Sequence, residues 1–199
     1  MTRKARLFVA LELPHVVREA LVAWREPLLR EADELRAVAP EALHVTLAFL
    51  GWQPEEAIAP LAELVDACAA DIGGASGLAL GKPLWLPRRR PRVLAIALED
   101  RHGQLAALQG RLVERLAADG GYEPEARPYL PHVTVARVRA RAPGRARELP
   151  TTTFGGGAAA FGDGAAPEVV FDGAAVVLYR SHLSSAGTRY EPLSVNRLA

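Results

Sequence analysis

Cysteine is nearly absent from this chain of 199 residues, which has a single one, Cys68. One cysteine forms no intramolecular disulfide, as is usual in a reducing compartment. Long hydrophobic runs are also missing. The apolar run that begins at Leu7 ends at Glu12 and Pro14, which is too short for a signal-peptide core or for the ~20 residues of a membrane span. We therefore expect a cytoplasmic protein with no membrane partner.

The chain has no large excess of charge of either sign, since its net charge is +1. Overall charge therefore does not predict a nucleic-acid partner. Lysine is scarce, and most basic residues are arginines, whose forked guanidinium suits phosphate. Two local clusters stand out, at positions 88, 89, 90 and 92 and at 137, 139, 141, 145 and 147. Solvated hairpin tips would explain these clusters equally well. The glycine patterns of Rossmann and P-loop sites are absent, and we expect no cofactor.

The order of the apolar patterns predicts an α+β fold with antiparallel sheets. Strands are expected at 7–13, 44–50, 78–86, 93–98, 132–138, 168–171 and 174–180, and helices at 15–35, 54–70 and 104–118. A hairpin is expected at Asp172-Gly173, a long hairpin or mobile loop at 151–164 and an irregular tail at 178–199. The chain fits a single domain, residues 1–199, with two pseudo-repeat halves at about 1–90 and 91–199, because a strand–helix–strand order occurs twice.

The sequence His44-Val45-Thr46-Leu47 is nearly repeated at His132-Val133-Thr134-Val135, inside two of the predicted strands. Residues i and i+2 of a strand point to the same face. Each copy therefore presents an imidazole beside a hydroxyl, with its apolar residues on the other face. A single copy would be typical of a structural histidine, but two copies in matching places of a suspected duplication favour a functional pair.

Two imidazoles that meet across a cleft can cleave a phosphodiester. One takes a proton from water and the other gives a proton to the departing alkoxide, because histidine titrates near neutral pH. Thr46 and Thr134 would donate hydrogen bonds to the non-bridging phosphate oxygens, whose charge grows in the transition state. This design needs no metal, and neither motif supplies the three or four ligands of a zinc site.

Several segments together resemble the bacterial and archaeal RNA 2′,3′-cyclic phosphodiesterases, also called 2′-5′ RNA ligases, of the 2H phosphoesterase superfamily. Besides the two His-x-Thr motifs, they are RLFVALELP at 6–14, LHVTLAFLG at 43–51, YLPHVTVARV at 129–138 and LYRSHLSSAGTRYEPL at 178–193. The resemblance implies a bilobal α+β fold with a central cleft, no metal, and opening of a 2′,3′-cyclic phosphate at an RNA end to a 2′-phosphate.

The resemblance also implies roles for single residues. His44 would protonate the 3′-oxygen and His132 would activate water, while the two threonines hold the phosphate. Arg137 stands where the family has a phosphate-binding arginine, but strict alternation puts it on the opposite strand face from His132 unless the strand bulges. Family members can also join tRNA halves through 2′-5′ linkages. We therefore expect RNA ends, including tRNA halves, as partners. We also expect the protein to be a monomer.

Three other hypotheses remain open at this point. The protein could bind RNA ends without catalysis, or act on another cyclic nucleotide or a 2′-5′ oligonucleotide in the same fold. Arg101-His102-Gly103 imitates the histidine-phosphatase signature, but its place before a predicted helix favours a simple turn. The three tryptophans, at positions 24, 52 and 85, could stack on bases, although large aromatic residues more often belong to the core.

Overall fold

A computed structural model describes residues 3–72, 74–87, 90–139, 166–184 and 187–198. The strands are β1 (Lys4–Glu12), β2 (Leu35–Ala37), β3 (His44–Pro54), β4 (Leu78–Leu86), β5 (Val93–Asp100), β6 (His132–Val138), β7 (Val170–Phe171), β8 (Ala175–Ser184) and β9 (Gly187–Arg197). The helices are α1 (His15–Glu31), α2 (Ile58–Ile72) and α3 (Gln104–Asp119), with short 3₁₀ turns at Pro40–Ala42 and Glu55–Ala57. The predicted α+β class is confirmed.

The strands form one antiparallel sheet whose order is β7-β4-β5-β6-β3-β1-β8-β9, with β2 paired to β6. Its two halves meet at β3 and β6, where the register consists of one residue pair, Val45 opposite Val133. The sheet is therefore two strongly paired lobes joined along a short seam. Both His-x-Thr motifs lie on the two strands of that seam.

The two strand–helix–strand units predicted from the sequence are present as β1-α1-β3 and β5-α3-β6. In each unit the first strand pairs directly with the motif strand. Each lobe also takes strands from elsewhere in the chain, since β8 pairs with β1, and β4 pairs with β5. The internal duplication of 1–90 and 91–199 itself remains a prediction.

The main core lies on the sheet face away from the histidines, and a smaller buried cluster that includes Phe8 and Tyr179 lies on the histidine face. Val45 and Val133 are fully buried, as the alternation predicts. Helix α3 buries the apolar stripe expected of it, which consists of Leu105, Leu108, Leu112 and Leu116. Each buried leucine stabilises the fold by roughly 1.5–3 kcal/mol, so this stripe holds α3 firmly on the sheet. Gly103, with φ 68°, stands before α3, which confirms a turn at Arg101-His102-Gly103.

Two predictions near the C-terminus are wrong. Asp172-Gly173 is not a hairpin, because β7 pairs with β4 while β8 pairs with β1 and β9. Glycine is needed at 173 for close packing, since a Cβ there would lie 2.6 Å from a Leu11 methyl. The tail is not irregular but forms β9, whose side chains are partly exposed along its length. Its weak hydrophobic alternation concealed the strand.

Candidate active site

The register of β3 and β6 brings the four motif side chains together. Antiparallel pairing of Val45 with Val133 places His44 beside Thr134 and Thr46 beside His132, because partner positions run in opposite directions from the bridged pair. All four point away from the buried valines and are partly accessible. An approximate twofold axis through the valine pair relates the two motifs. The structure thus brings together the two histidines and two threonines singled out in the sequence.

Both imidazoles are oriented in the same way. Nδ1 of His44 lies 2.8 Å from the carbonyl oxygen of Ala42, and Nδ1 of His132 lies 2.8 Å from that of Leu130. A carbonyl oxygen only accepts hydrogen bonds, so each Nδ1 carries the proton and donates it. The remaining nitrogen, Nε2, is therefore left in both rings to exchange a proton with a substrate.

Each motif strand contains a bulge after its threonine. The β1–β3 register skips Leu47, and the β5–β6 register skips Val135. An extra residue reverses the alternation of faces beyond it. The bulge on β6 therefore meets the condition for Arg137 to share a face with His132. Burial lowers the pKa of His44, and the charge of Arg137 contributes in the same direction.

The matching bulge on β3 exposes an aromatic residue that the sequence analysis did not single out. Phe49 stands five residues after His44, as Arg137 stands five residues after His132, and its ring is 39% exposed. The burial pattern is the same for the first six residues of β3 and of β6. The shared pattern contains two buried residues followed by an exposed one. Strict alternation of strand faces does not predict this order, so it did not identify Phe49 as a residue on the histidine face.

Two helices fix these bulges by binding the carbonyl groups of the bulged residues. Nη1 of the buried Arg25, on α1, donates to the carbonyl oxygen of Val135 at 2.8 Å. At the related position, Nε2 of Gln109, on α3, donates to the carbonyl oxygen of Leu47 at 3.3 Å. Each strand–helix–strand unit thereby supports the motif strand of the other unit.

Replacing Arg25 by Met should weaken the site more than the fold. Methionine keeps the apolar stem of the side chain but removes the hydrogen bond to the bulge that lets Arg137 share a strand face with His132. We expect kcat/KM to fall roughly 2- to 10-fold, the equivalent of one hydrogen bond of about 0.5–1.5 kcal/mol. Arg30→Met is the control, because Arg30 lies on the same helix with 74% of its side chain exposed. Thermal unfolding of both variants checks the fold. Equal activities of Arg25→Met and Arg30→Met would contradict a role of Arg25 in supporting the bulge.

His44 lies in an aromatic environment. The Phe8 ring centroid is 5.0 Å from that of His44, and the Tyr190 ring meets the imidazole edge-on at 5.3 Å. Burial lowers the pKa of His44 to about 4, with smaller contributions in the same direction from Arg137 and His132, against the opposing hydrogen bond to Ala42. His44 is therefore neutral at pH 7 in the free protein.

Tyr129 links the two motifs, since its hydroxyl donates to the carbonyl oxygen of Thr46 at 3.3 Å. Burial raises the pKa of this phenol, so it stays a donor. Two further histidines pair with carboxylates: His15 with Glu19 and His182 with Glu191. Neither belongs to the motif cluster.

The predicted arginine clusters are described only in part. Arg90, Arg92, Arg137 and Arg139 are exposed, whereas the arginines at 88, 89, 141, 145 and 147 and the predicted loop at 151–164 lie outside the described residues. Within the described ranges, no group of three or more His, Cys, Asp or Glu side chains could hold a metal ion. No helix in that part of the chain is long and apolar enough to cross a membrane.

Comparison with known proteins agrees with the geometry. The family model of the 2′-5′ RNA ligase superfamily matches residues 13–183, which include both motifs. The chain belongs to this superfamily. Among curated members, the RNA 2′,3′-cyclic phosphodiesterase of Escherichia coli K12 is 30% identical over 142 residues, covering 69% of this chain and 74% of that protein. The Thermus thermophilus protein of the same name is 31% identical over 156 residues, covering 75% of each.

Solved structures of the superfamily share the whole fold. Escherichia coli LigT complexed with 3′-AMP superposes with a TM-score of 0.71 at 25% identity and covers 99% of both chains. The TT0787 structure from Thermus thermophilus gives a TM-score of 0.67 at 28% identity and covers 97% of both. The expected bilobal fold of 2′-5′ RNA ligase superfamily members is thus confirmed over almost the entire chain.

Proposed function

We propose that this protein hydrolyses 2′,3′-cyclic phosphates at RNA ends, the activity that the names of its relatives give for them, and that its product is a 2′-phosphate. The observation that carries the proposal is the pairing of two His-x-Thr motifs on the seam strands, with both Nε2 atoms left unbonded by the backbone contacts. A cyclic phosphate placed between them would have an imidazole on each side and a threonine hydroxyl beside each imidazole.

The proposed reaction transfers one proton at each imidazole. One Nε2 takes a proton from water as its oxygen attacks phosphorus, and the P–O3′ bond breaks as the other Nε2 gives a proton to O3′. The threonine hydroxyls and the Arg137 guanidinium would stabilise the charge that grows on the non-bridging oxygens. The product keeps phosphate on O2′ and carries a free 3′-hydroxyl.

With the roles implied by the family, His132 is the base and His44 the acid. The pKa of His44, about 4 in the free protein, leaves it without the required proton at pH 7. A neighbouring anion raises the pKa of an imidazole, so the bound phosphate would restore that proton. In the reverse assignment, neutral His44 would serve directly as base. Both assignments use His44 and His132 together as acid and base, and the proposal rests on this pair and not on which histidine is the acid.

The test is incubation of a short RNA ending in a 2′,3′-cyclic phosphate with the protein in EDTA, followed by typing of the product. We expect a 2′-phosphate. A 3′-phosphate, or turnover that requires added metal, would contradict the mechanism. Absence of turnover would shift the assignment to another cyclic or 2′-5′-linked substrate, or to an RNA-end binder. Ligation through 2′-5′ linkages would appear as a longer product when tRNA halves are added to the same assay. The cytoplasmic location and the monomeric state stay predictions.

A further inference from the structure

Beyond the motif residues, the cleft face of β1 and β3 continues into a row of side chains in which Phe8 is buried, Arg6 is partly exposed, and Phe49 and Trp52 are exposed. In the register of these strands Thr46 lies opposite Ala10, Phe49 opposite Phe8, and Trp52 opposite Arg6. Directly opposite residues project from the same face of a sheet. Since Phe8 contacts His44 and Thr46 faces the cleft, Arg6 and Trp52 extend that face away from the catalytic pair.

The row is aromatic and cationic. Trp52 is 60% exposed, contrary to the expectation that the tryptophans belong to the core, whereas Trp24 and Trp85 pack partly buried against the core. The Arg6 guanidinium carbon lies 4.5 Å from the centroid of the Phe49 ring. Among the residues described, Arg6 has no carboxylate partner and the Trp52 indole has no hydrogen-bond partner. Aromatic faces beside cations with no acidic partner are characteristic of surfaces that bind single-stranded nucleic acid.

The spacing of the row fits successive nucleotides. Arg6 and Ala10 are four β1 residues apart, so at about 3.4 Å per residue Trp52 lies ~14 Å along the sheet from Thr46, with Phe49 near the middle. Each step of ~7 Å is about twice the 3.4 Å rise between stacked neighbours in a duplex strand. A base on Trp52 would therefore be splayed away from the neighbouring base of its strand, as in the recognition of single-stranded RNA.

We propose that Trp52 and Arg6 form a subsite for the nucleotide that precedes the cyclic-phosphate end. Its base stacks on the Trp52 indole, and the phosphate that links it to the terminal nucleotide lies at the Arg6 guanidinium. The subsite rests on the proposed function and deepens it, because it makes the enzyme select oligonucleotides over mononucleotides. Other exposed apolar residues, such as Val16 on α1, stand outside this continuous row.

The first test compares kcat/KM for an RNA oligonucleotide and for a nucleoside 2′,3′-cyclic phosphate. Wild type should prefer the oligonucleotide, and Trp52→Ala should reduce the ratio of the two kcat/KM values about fivefold or more, the lower end of measured base-stacking effects. Trp52→Phe should keep most of the ratio, Arg6→Gln should lower it, and Val16→Ala should not change it. A ratio that is the same in wild type and Trp52→Ala would overturn the subsite.

A binding measurement separates this inference from the proposed reaction. An RNA oligonucleotide with a 2′-phosphate end should quench tryptophan fluorescence in wild type more than a nucleoside 2′-phosphate does, and Trp52→Phe should remove the difference. Such quenching without any turnover would support the subsite and refute the proposed reaction. Turnover of both substrates with no length preference and no difference in quenching would overturn the subsite and leave the reaction standing.

Discussion

Replacement of either His44 or His132 by alanine should reduce kcat/KM about 100- to 10,000-fold while the protein stays folded. General acid–base groups typically contribute this much, and each imidazole offers Nε2 to the cleft through the same backbone contact of Nδ1. The measurement is steady-state hydrolysis of an RNA 2′,3′-cyclic phosphate, with circular dichroism as the check on folding.

The control for this pair of variants is His15→Ala, because His15 lies on the surface of α1 with 77% of its side chain exposed. It should retain wild-type activity. The double variant lacking both motif histidines should be little worse than the poorer single variant, since groups that act as a unit are strongly non-additive. Full activity in either single variant would refute the paired mechanism.

The second large effect concerns the pH dependence of stability. The pKa of His44 is about 4 in the folded protein, against about 6.5 when unfolded. Between these values the unfolded chain binds more protons than the folded one, so the free energy of unfolding rises with pH through this window. The contribution of His44 to the free energy of unfolding is therefore fully present above about pH 6.5. It is lost as the pH falls to 4, which lowers the free energy of unfolding by about 3 kcal/mol.

Other groups also titrate in this pH window, so the effect of His44 on stability is measured as the difference between wild type and a variant that lacks this histidine. Urea unfolding of wild type and His44→Gln at pH 4.5 and 7 should show that the variant loses about 2–3 kcal/mol less on acidification. His182→Gln serves as the control, since His182 pairs with Glu191 away from the motif cluster. Parallel loss of stability in wild type and His44→Gln would show that burial does not depress the pKa of His44.

Sequence patterns predicted the elements around the site well, because those elements have strong periodicity. Strand β6 and helix α3 begin where the alternation and the leucine stripe indicate, at His132 and Gln104. Patterns failed where polar and apolar residues are mixed, as in β9, and where a glycine serves packing, as at position 173. Strand β2, with three residues, was too short to leave a pattern.

By itself, the sequence determined the two His-x-Thr motifs and their place on strands, the repeated strand–helix–strand order, and the family to which the chain belongs. Only the tertiary structure decided how those groups are placed. The single pair Val45–Val133 sets the motifs side by side, and the bulges at Leu47 and Val135 put Phe49 and Arg137 on the same strand faces as the histidines. These features arise from pairing between residues far apart in the chain, and the low pKa of His44 arises from burial among such residues. Local periodicity carries no information about either.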